Sequence, residues 1–207
     1  MPRPGPRNSL SDIPGLTVGH ATDLHVDTGV TVIRPDGFWT ASIDIRGGGP
    51  GGRETAALEP ENMVGQLHAL VFAGGSVFGL GAADAVAAKL SQDDVGLHLK
   101  PGAPAIPIVP AAVLHDLANG GDKAWGLEPP YRRLGFEALA NAAEDFELGS
   151  VGAGRGAMAL STWGERLIAP LFHSLRQVPM LAWIPLIALW FGNGESSKVL
   201  IIALAAC

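Results

Sequence analysis

The residues of this 207-residue chain that could do chemistry begin with a glycine turn, AGGSVFGLGAADAV at 73–86. The pattern predicts a strand, a turn at Gly74 and Gly75, and a helix over 76–90. The backbone N–H groups of such a turn could form an oxyanion hole, whereas Ser76 could simply cap the helix. The segment fits neither a nucleophile elbow, which needs glycine where Phe78 stands, nor a P-loop, because no G-K-[ST] follows.

A second candidate is the neighbouring pair His115 and Asp116, which lies in the strand-like run at 104–117. His115 could be a base oriented by the carboxylate of Asp116. The alternative is structural, with His115 partly buried where a strand gives way to a helix and Asp116 capping that helix. We predict a pocket that includes Gly74, Gly75, Ser76 and His115.

Two other glycine-rich segments are open to more than one interpretation. RGGGPGGRET (46–55) could cradle an anion between Arg46 and Arg53, or could be a tight connection with positive φ at several positions. GSVGAGRGA (149–157) reads as a loop and lacks the G-x-G-x-x-G of a dinucleotide site. The histidines form no H-E-x-x-H, and the single Cys207 excludes a disulfide within the chain and a cysteine zinc site. We predict no metal and no cofactor.

The elements that must position these residues alternate between strands and helices. Two strands, LTVGHATD and GVTVIRP, are separated by a turn at 27–29, and FWTASIDIRG and LVFAGG read as further strands. Helices are predicted over 61–70, 76–90 and 135–147. Such interleaving favours an α/β or α+β fold for the first 160 residues.

The composition changes near residue 160. The net charge of −6 argues against a nucleic-acid partner. Residues 178–194 carry no charge, and this run approaches the ~20 apolar residues that span a bilayer. Three predicted segments follow: a disordered N-terminus at 1–8, a domain at 9–160, and an apolar helical C-terminal tail at 161–207. No secretory signal pattern opens the chain, so the domain is expected in the cytoplasm, with residues 178–207 at the inner membrane.

Six blocks of the first segment occur in the order and at the spacing of one peptidase family, and residues 9–160 resemble its α-chain part. The family contains the L-aminopeptidase D-Ala-esterase/amidases and the β-peptidyl aminopeptidases. The resemblance implies an α+β fold, an αββα sandwich, truncated here. It also implies a small peptide or amide substrate, a homo-oligomer and no metal. The blocks are IPGLTVGHATD, TGVTVI, RGGGPGGRET, HALVFAGGSVFGLGAADAV, IPIVPAAVLHDL and GSVGAGRGA.

The resemblance stops after residue 160, before the part of the family's sequence that carries the self-cleavage point and the nucleophile. In the family, self-cleavage of the precursor exposes a Ser or Thr at the start of the β chain, and this residue is the nucleophile. That stretch, with an oxyanion Asn, has no counterpart here, so the catalytic residues are unknown. A pocket Tyr of the family lies near PAAVLHDL, whereas the one tyrosine here is Tyr131. The family's Asn and Thr in the last loop read Ser150 and Arg155.

Residues 163–207 resemble a second family, the membrane-spanning permease of ABC importers for nitrate, sulfonate or taurine. The pattern P-x-L-A-W-I-P-L…W-F-G-x-G-x-x-S-K carries this likeness. We therefore predict a truncated aminopeptidase domain fused to a permease fragment and inactive alone. One alternative is a permease component of an ABC importer with a vestigial N-terminal domain. Another is a non-catalytic α/β module with a hydrophobic tail.

Overall fold

The computed structural model of the chain describes residues 5–45 and 49–159. Within them, seven strands and three α-helices form a mixed α+β fold, joined by short 3₁₀ turns at Leu10–Asp12, Thr55–Leu58 and Ser76–Gly79. The strands are β1 (Leu16–Asp23), β2 (Thr28–Pro35), β3 (Trp39–Thr40), β4 (Gly52–Arg53), β5 (Gln66–Leu67), β6 (Leu70–Ala73) and β7 (Ala111–Val113). The helices are α1 (Leu80–Gln92), α2 (Tyr131–Ala140) and α3 (Ala153–Ala159).

Five of these strands form the central sheet, in the order β1-β2-β6-β7-β4. The pairs are antiparallel except β6 and β7, which run parallel, and β3 and β5 form a separate two-stranded sheet. β1 and β2 pair along their whole length, from Leu16 opposite Pro35 to Asp23 opposite Thr28. The parallel pair matters for the site, because the carboxyl ends of β6 and β7 meet at the same edge of the sheet.

One face of the sheet packs against α1 and α2. The residues facing these helices are small or β-branched, which lets the helices approach closely. At Gly19, an added Cβ would lie 2.0 Å from the carbonyl oxygen of Ala138 in α2. The core between the layers consists largely of strand residues Ala21, Val30, Val32, Val71, Ala73 and Ala111 and of helix residues Ala82, Ala83, Val86, Leu90, Tyr131, Leu134 and Ala138.

The other face of the sheet meets the start of α3. Side chains alternate between the faces of a strand, so His20, Thr31, Ile33 and Phe72 lie on this side, and all four are half-buried. The backbone N–H of Ala153 donates to Thr31 Oγ1 at 3.1 Å. The glycine-rich segment at 149–157 therefore includes a helix as well as a loop.

Several sequence predictions are confirmed and others are wrong. β1, β2, β6 and the helix after the glycine turn are present. The predicted helix at 61–70 is wrong, because this stretch forms a turn, the short strand β5 and the first residue of β6. The helix predicted at 135–147 begins at Tyr131 and ends at Ala140, since Ala143 pairs with Val18 of β1 instead. The turn between the first strands lies at 24–27. In the described part of FWTASIDIRG, residues 38–45, the strand is confined to Trp39–Thr40.

Three predictions fall wholly or partly outside the described residues. Residues 1–4 and 160–207 are not described, so the disordered terminus, the apolar helical tail and the segment boundary at 160 stay predictions. Residues 5–8 are described, and the N–H of Arg7 donates to Asp12 Oδ1 at 3.0 Å. Among the described helices, none combines the length and the apolar character needed to cross a membrane.

The packing between α1 and the sheet predicts where truncation is costly. Leu90→Ala should lower the free energy of unfolding by about 2–5 kcal/mol, because Leu90 is fully buried and its loss leaves a cavity. Leu99→Ala is the matched control, since this leucine is 78% exposed and should change stability by about 0.5 kcal/mol or less. Chemical denaturation followed by circular dichroism measures both, and equal losses would contradict this core.

Candidate functional site

The glycine turn between β6 and the following helix has left-handed backbone at two successive residues. Gly75 has φ +82°, and Ser76 has φ +52°. An added Cβ on Gly75 would lie 2.0 Å from Cζ of Tyr131, so both the conformation and the space require glycine there. The turn therefore packs directly against Tyr131, the first residue of α2.

The backbone N–H groups of the turn are all bonded within the chain. Gly74 N–H donates to the carbonyl of Gly29 at 3.0 Å, and Ser76 N–H donates to the carbonyl of Leu114 at 2.7 Å. Gly75 N–H donates to Asp116 Oδ1 at 2.5 Å. An oxyanion hole needs N–H groups that are open to the substrate. The suggestion that the N–H groups of Gly74, Gly75 and Ser76 form one does not fit this geometry.

Asp116 is the buried acceptor at the centre of this region. Its side chain is fully buried, and Oδ2 accepts a hydrogen bond from Thr28 Oγ1 at 2.7 Å. Thr28 Oγ1 in turn accepts from the hydroxyl of Tyr131 at 3.3 Å. Asp116 therefore joins the start of β2, the glycine turn and α2.

The interpretations of His115 and Ser76 need correction. His115 is exposed, not partly buried, and Asp116 neither orients it nor caps a helix, because the carboxylate points into the core. Neighbouring residues of an extended segment point to opposite sides, which explains the contrast. Ser76 makes no cap bond, because the helix begins with a 3₁₀ turn that Gly75 precedes.

The predicted pocket residues nevertheless lie at one edge of the sheet. Gly74, Gly75 and Ser76 follow β6, and His115 follows the parallel strand β7. The bond from Ser76 to Leu114 ties the two segments together. The sequence analysis missed the contacts of Thr28 and Tyr131, because residues so distant in the chain meet only in the folded sheet.

A second polar cluster lies on the opposite face of the sheet. His20 Nδ1 lies 2.9 Å from Thr31 Oγ1, and among the described residues its buried Nε2 atom finds no hydrogen-bond partner. Burial lowers the pKa of His20, opposed by the nearby Glu147, so the imidazole is favoured in its neutral form. An open cavity of about 270 Å³ adjoins this ring, lined also by Asn141, Asp145 and Phe146.

The other glycine segments show no built ligand site in the described part of the chain. Residues 46–48 are not described; beyond them, Arg53 lies 3.7 Å from Asp84 of α1. The positive φ in this connection belongs to Glu54, not to the described glycines. Arg155 of α3 donates to Asp27 Oδ1 at 2.6 Å. In residues 5–45 and 49–159, no group of three His, Cys, Asp or Glu side chains could hold a metal ion.

The buried tyrosine gives a direct test of this network. Burial raises the pKa of Tyr131 to about 12, and the neighbouring carboxylate of Asp116 adds to the rise. It is the chain's one tyrosine, so absorbance at the tyrosinate band reports it alone. We expect a midpoint near pH 12 in the native chain and near 10 in urea. The stability that Tyr131 contributes is present below pH 10 and is lost as pH rises towards 12.

Substitution separates the two causes of this shift. Asp116→Asn removes a neighbouring negative charge and should lower the native midpoint. Asp93→Asn at the end of α1 is the control and should leave the midpoint unchanged. A native midpoint near 10 would contradict the buried position of Tyr131.

Comparison with known proteins agrees with both resemblances. An uncharacterized aminopeptidase of Mycobacterium tuberculosis is 41% identical over 160 residues, which are 73% of this chain and 45% of that protein. This chain therefore spans about half the length of the curated aminopeptidases that it matches. Separately, a putative aliphatic sulfonates transport permease of Escherichia coli is 56% identical over 45 residues, or 22% of this chain and 17% of the permease.

The fold is also similar to that of a solved enzyme. The L-aminopeptidase D-Ala-esterase/amidase of Ochrobactrum anthropi, described as a variant of the Ntn hydrolase fold, superposes with a TM-score of 0.51 at 21% identity. The match covers 75% of this chain and 46% of that one. The model of peptidase family S58 matches residues 8–164. Because this match covers well over half of its residues, the chain belongs to peptidase family S58.

Proposed function

We propose that residues 9–160 are the nucleophile-free part of a serine or threonine N-terminal-nucleophile aminopeptidase that acts on small peptides or amides, and that this 207-residue chain is inactive alone. The observation that carries the proposal is the extent of the family match, which covers residues 8–164. These residues correspond to less than half of the M. tuberculosis relative. The family's self-cleavage point and nucleophile have no counterpart among them.

The face of the sheet opposite α1 and α2 supports the proposal that a further layer completes the fold. Ile33 and Phe72 are half-buried there, and Ala112 of β7 is exposed. Apolar strand residues on one face normally pack against another layer. A second sheet on this face would complete an αββα sandwich, and the nucleophile would enter with it.

The sheet edge at the carboxyl ends of β6 and β7 supports a substrate site on this part of the enzyme. Exposed His115 lies beside the left-handed turn at Gly75 and Ser76. Val77 and Phe78, which follow this turn in the chain, are 64% and 44% exposed. Apolar side chains at the mouth of a site favour a ligand with an apolar portion. We propose that the substrate binds at this edge, with one side chain against Val77 and Phe78.

The assay follows from the missing nucleophile. Purified full-length chain, kept in mild detergent, should not hydrolyse alanyl p-nitroanilide above background, because the family's own Ser or Thr nucleophile has no counterpart in residues 9–160. The O. anthropi enzyme serves as the active control. A denaturing gel should show one band near 21.4 kDa and no self-cleavage products. Activity that survives dilution and repurification would refute the proposal.

A second candidate function is that of a permease component of an ABC importer with a vestigial N-terminal domain. It is favoured by the 56% identity to the E. coli permease over 45 residues. Membrane association through residues 178–207 is common to this candidate and to the fused fragment. The permease candidate and the fused fragment differ in whether the aminopeptidase-like domain has any role. Membrane association of residues 178–207 is expected for both, and the next experiment tests that association.

The uncharged run at 178–194 should anchor the chain to membranes when it is expressed in bacteria. We expect the chain to float with lipid in a density gradient, which separates membrane-bound protein from aggregates. Leu186→Arg should release it, since a charge at the centre of such a segment costs about 2.5–3.5 kcal/mol. Ser196→Arg, outside the uncharged run, is the matched control and should not. Wild-type chain that remains in the high-speed supernatant would contradict membrane association.

A further inference from the structure

The turn after β6 presents a serine in an unusual conformation. Ser76 is not glycine, yet its φ is +52°, and it stands between the end of a strand and the first turn of a helix. A non-glycine residue in the left-handed region is strained, and such strain is common at functional sites. A strand, a strained serine and a helix in this order form the local geometry of a nucleophile elbow.

The objection from the sequence, that Phe78 occupies the place of a required glycine, is answered by the structure. Glycine is needed in such a turn because the helix passes close to the preceding strand. Here Gly79 makes that approach, since an added Cβ would lie 1.9 Å from the carbonyl oxygen of Gly74. The first turn is 3₁₀, from Ser76 to Gly79, and Phe78 directs its ring towards Trp125 at a centroid distance of 5.7 Å.

A potential base lies next to this serine. Ser76 N–H donates to the carbonyl of Leu114 at 2.7 Å, and His115 is the next residue after Leu114. With ordinary bond lengths, this contact holds the Cα atoms of Ser76 and His115 within about 7 Å. Neither the Ser76 hydroxyl nor the His115 ring is bonded to another described residue, and the ring is exposed. The two side chains are not hydrogen-bonded to each other in this structure, and no hydrogen bond within the described residues opposes rotation of either towards the other.

We propose that Ser76 is a nucleophile and His115 its general base, and that the pair captures activated acyl or phosphonyl groups. With a fluorophosphonate, His115 accepts the hydroxyl proton, Ser76 Oγ forms a bond to phosphorus, and the phosphorus–fluorine bond breaks to release fluoride. With an activated ester, Oγ bonds to the carbonyl carbon, the bond from that carbon to the alkoxy oxygen breaks, and the leaving alcohol takes the proton from His115. The product is a serine ester on Ser76.

The same geometry limits this chemistry to capture. The N–H groups of Gly74, Gly75 and Ser76 are engaged by Gly29, Asp116 and Leu114. They cannot also stabilise the oxyanion that amide hydrolysis requires. Reaction with a strongly activated group is therefore expected without turnover of amides. The inference is independent of the family's own nucleophile and does not rest on the proposed function.

The test is covalent labelling of the full chain with a biotinylated fluorophosphonate, followed by peptide mapping in a mass spectrometer. We expect the label on Ser76 and complete loss of labelling in Ser76→Ala. His115→Gln should slow labelling by about tenfold or more. Ser91→Ala is the matched control, because Ser91 lies on α1 and donates to the carbonyl of Ala105 at 2.7 Å. Circular dichroism confirms that each variant is folded.

Each result decides the proposal. A label that persists in folded Ser76→Ala, that lies only on another serine, or that never forms would overturn it. So would a labelling rate unchanged by His115→Gln. If Ser76→Ala does not fold, Ser76→Cys tests the same position. We expect this cysteine to be alkylated faster than Cys207, and equal or slower alkylation would count against the proposal. Hydrolysis of alanyl p-nitroanilide that persists in Ser76→Ala would refute the proposed inactivity alone, whereas hydrolysis that is lost in Ser76→Ala would also overturn the limit to capture.

Discussion

The hydrogen bonds of the buried Asp116 carboxylate are the interactions on which the sheet edge at the carboxyl ends of β6 and β7 depends. The carboxylate accepts hydrogen bonds from Gly75 N–H and from Thr28 Oγ1, and so holds a turn and a strand that lie far apart in the sequence. Its neighbours must be small: an added Cβ would lie 2.0 Å from Oδ2 at Gly74 and 2.3 Å at Gly156. Without the carboxylate, two buried donors would be unpaired at about 1–3 kcal/mol each.

This arrangement divides the edge into an inner and an outer part. The inner part, with Asp116, Thr28 and Tyr131, is closed to solvent and has its donors paired with acceptors. The outer part, with Ser76 and His115, carries the groups that can react. The division explains how a strained turn persists, since the hydrogen bonds beneath it fix the left-handed backbone. It also separates the residues that hold the site from those that could meet a substrate.

The relation between this chain and its family follows the same physical division. The helix-covered face of the sheet is a complete core, built from small and β-branched residues that pack on α1 and α2. The opposite face carries half-buried apolar residues, and among the described residues the start of α3 packs against it. A chain that matches 45% of the length of an aminopeptidase can thus hold a well-packed layer of sheet and helices.

Sequence patterns by themselves determined the strands β1, β2 and β6, the glycine turn and the helix after it, because alternation and glycine placement are local signals. The ordered motif blocks also identified the family. Only the tertiary structure decided that Asp116 faces inward and His115 outward, that Gly79 and not Phe78 lies against the end of the strand, and that Ala143 pairs with Val18 instead of extending a helix. Those outcomes depend on contacts between residues far apart in the chain. The energies of these contacts exceed the local conformational preferences, and the spacing of residues in the sequence does not indicate them.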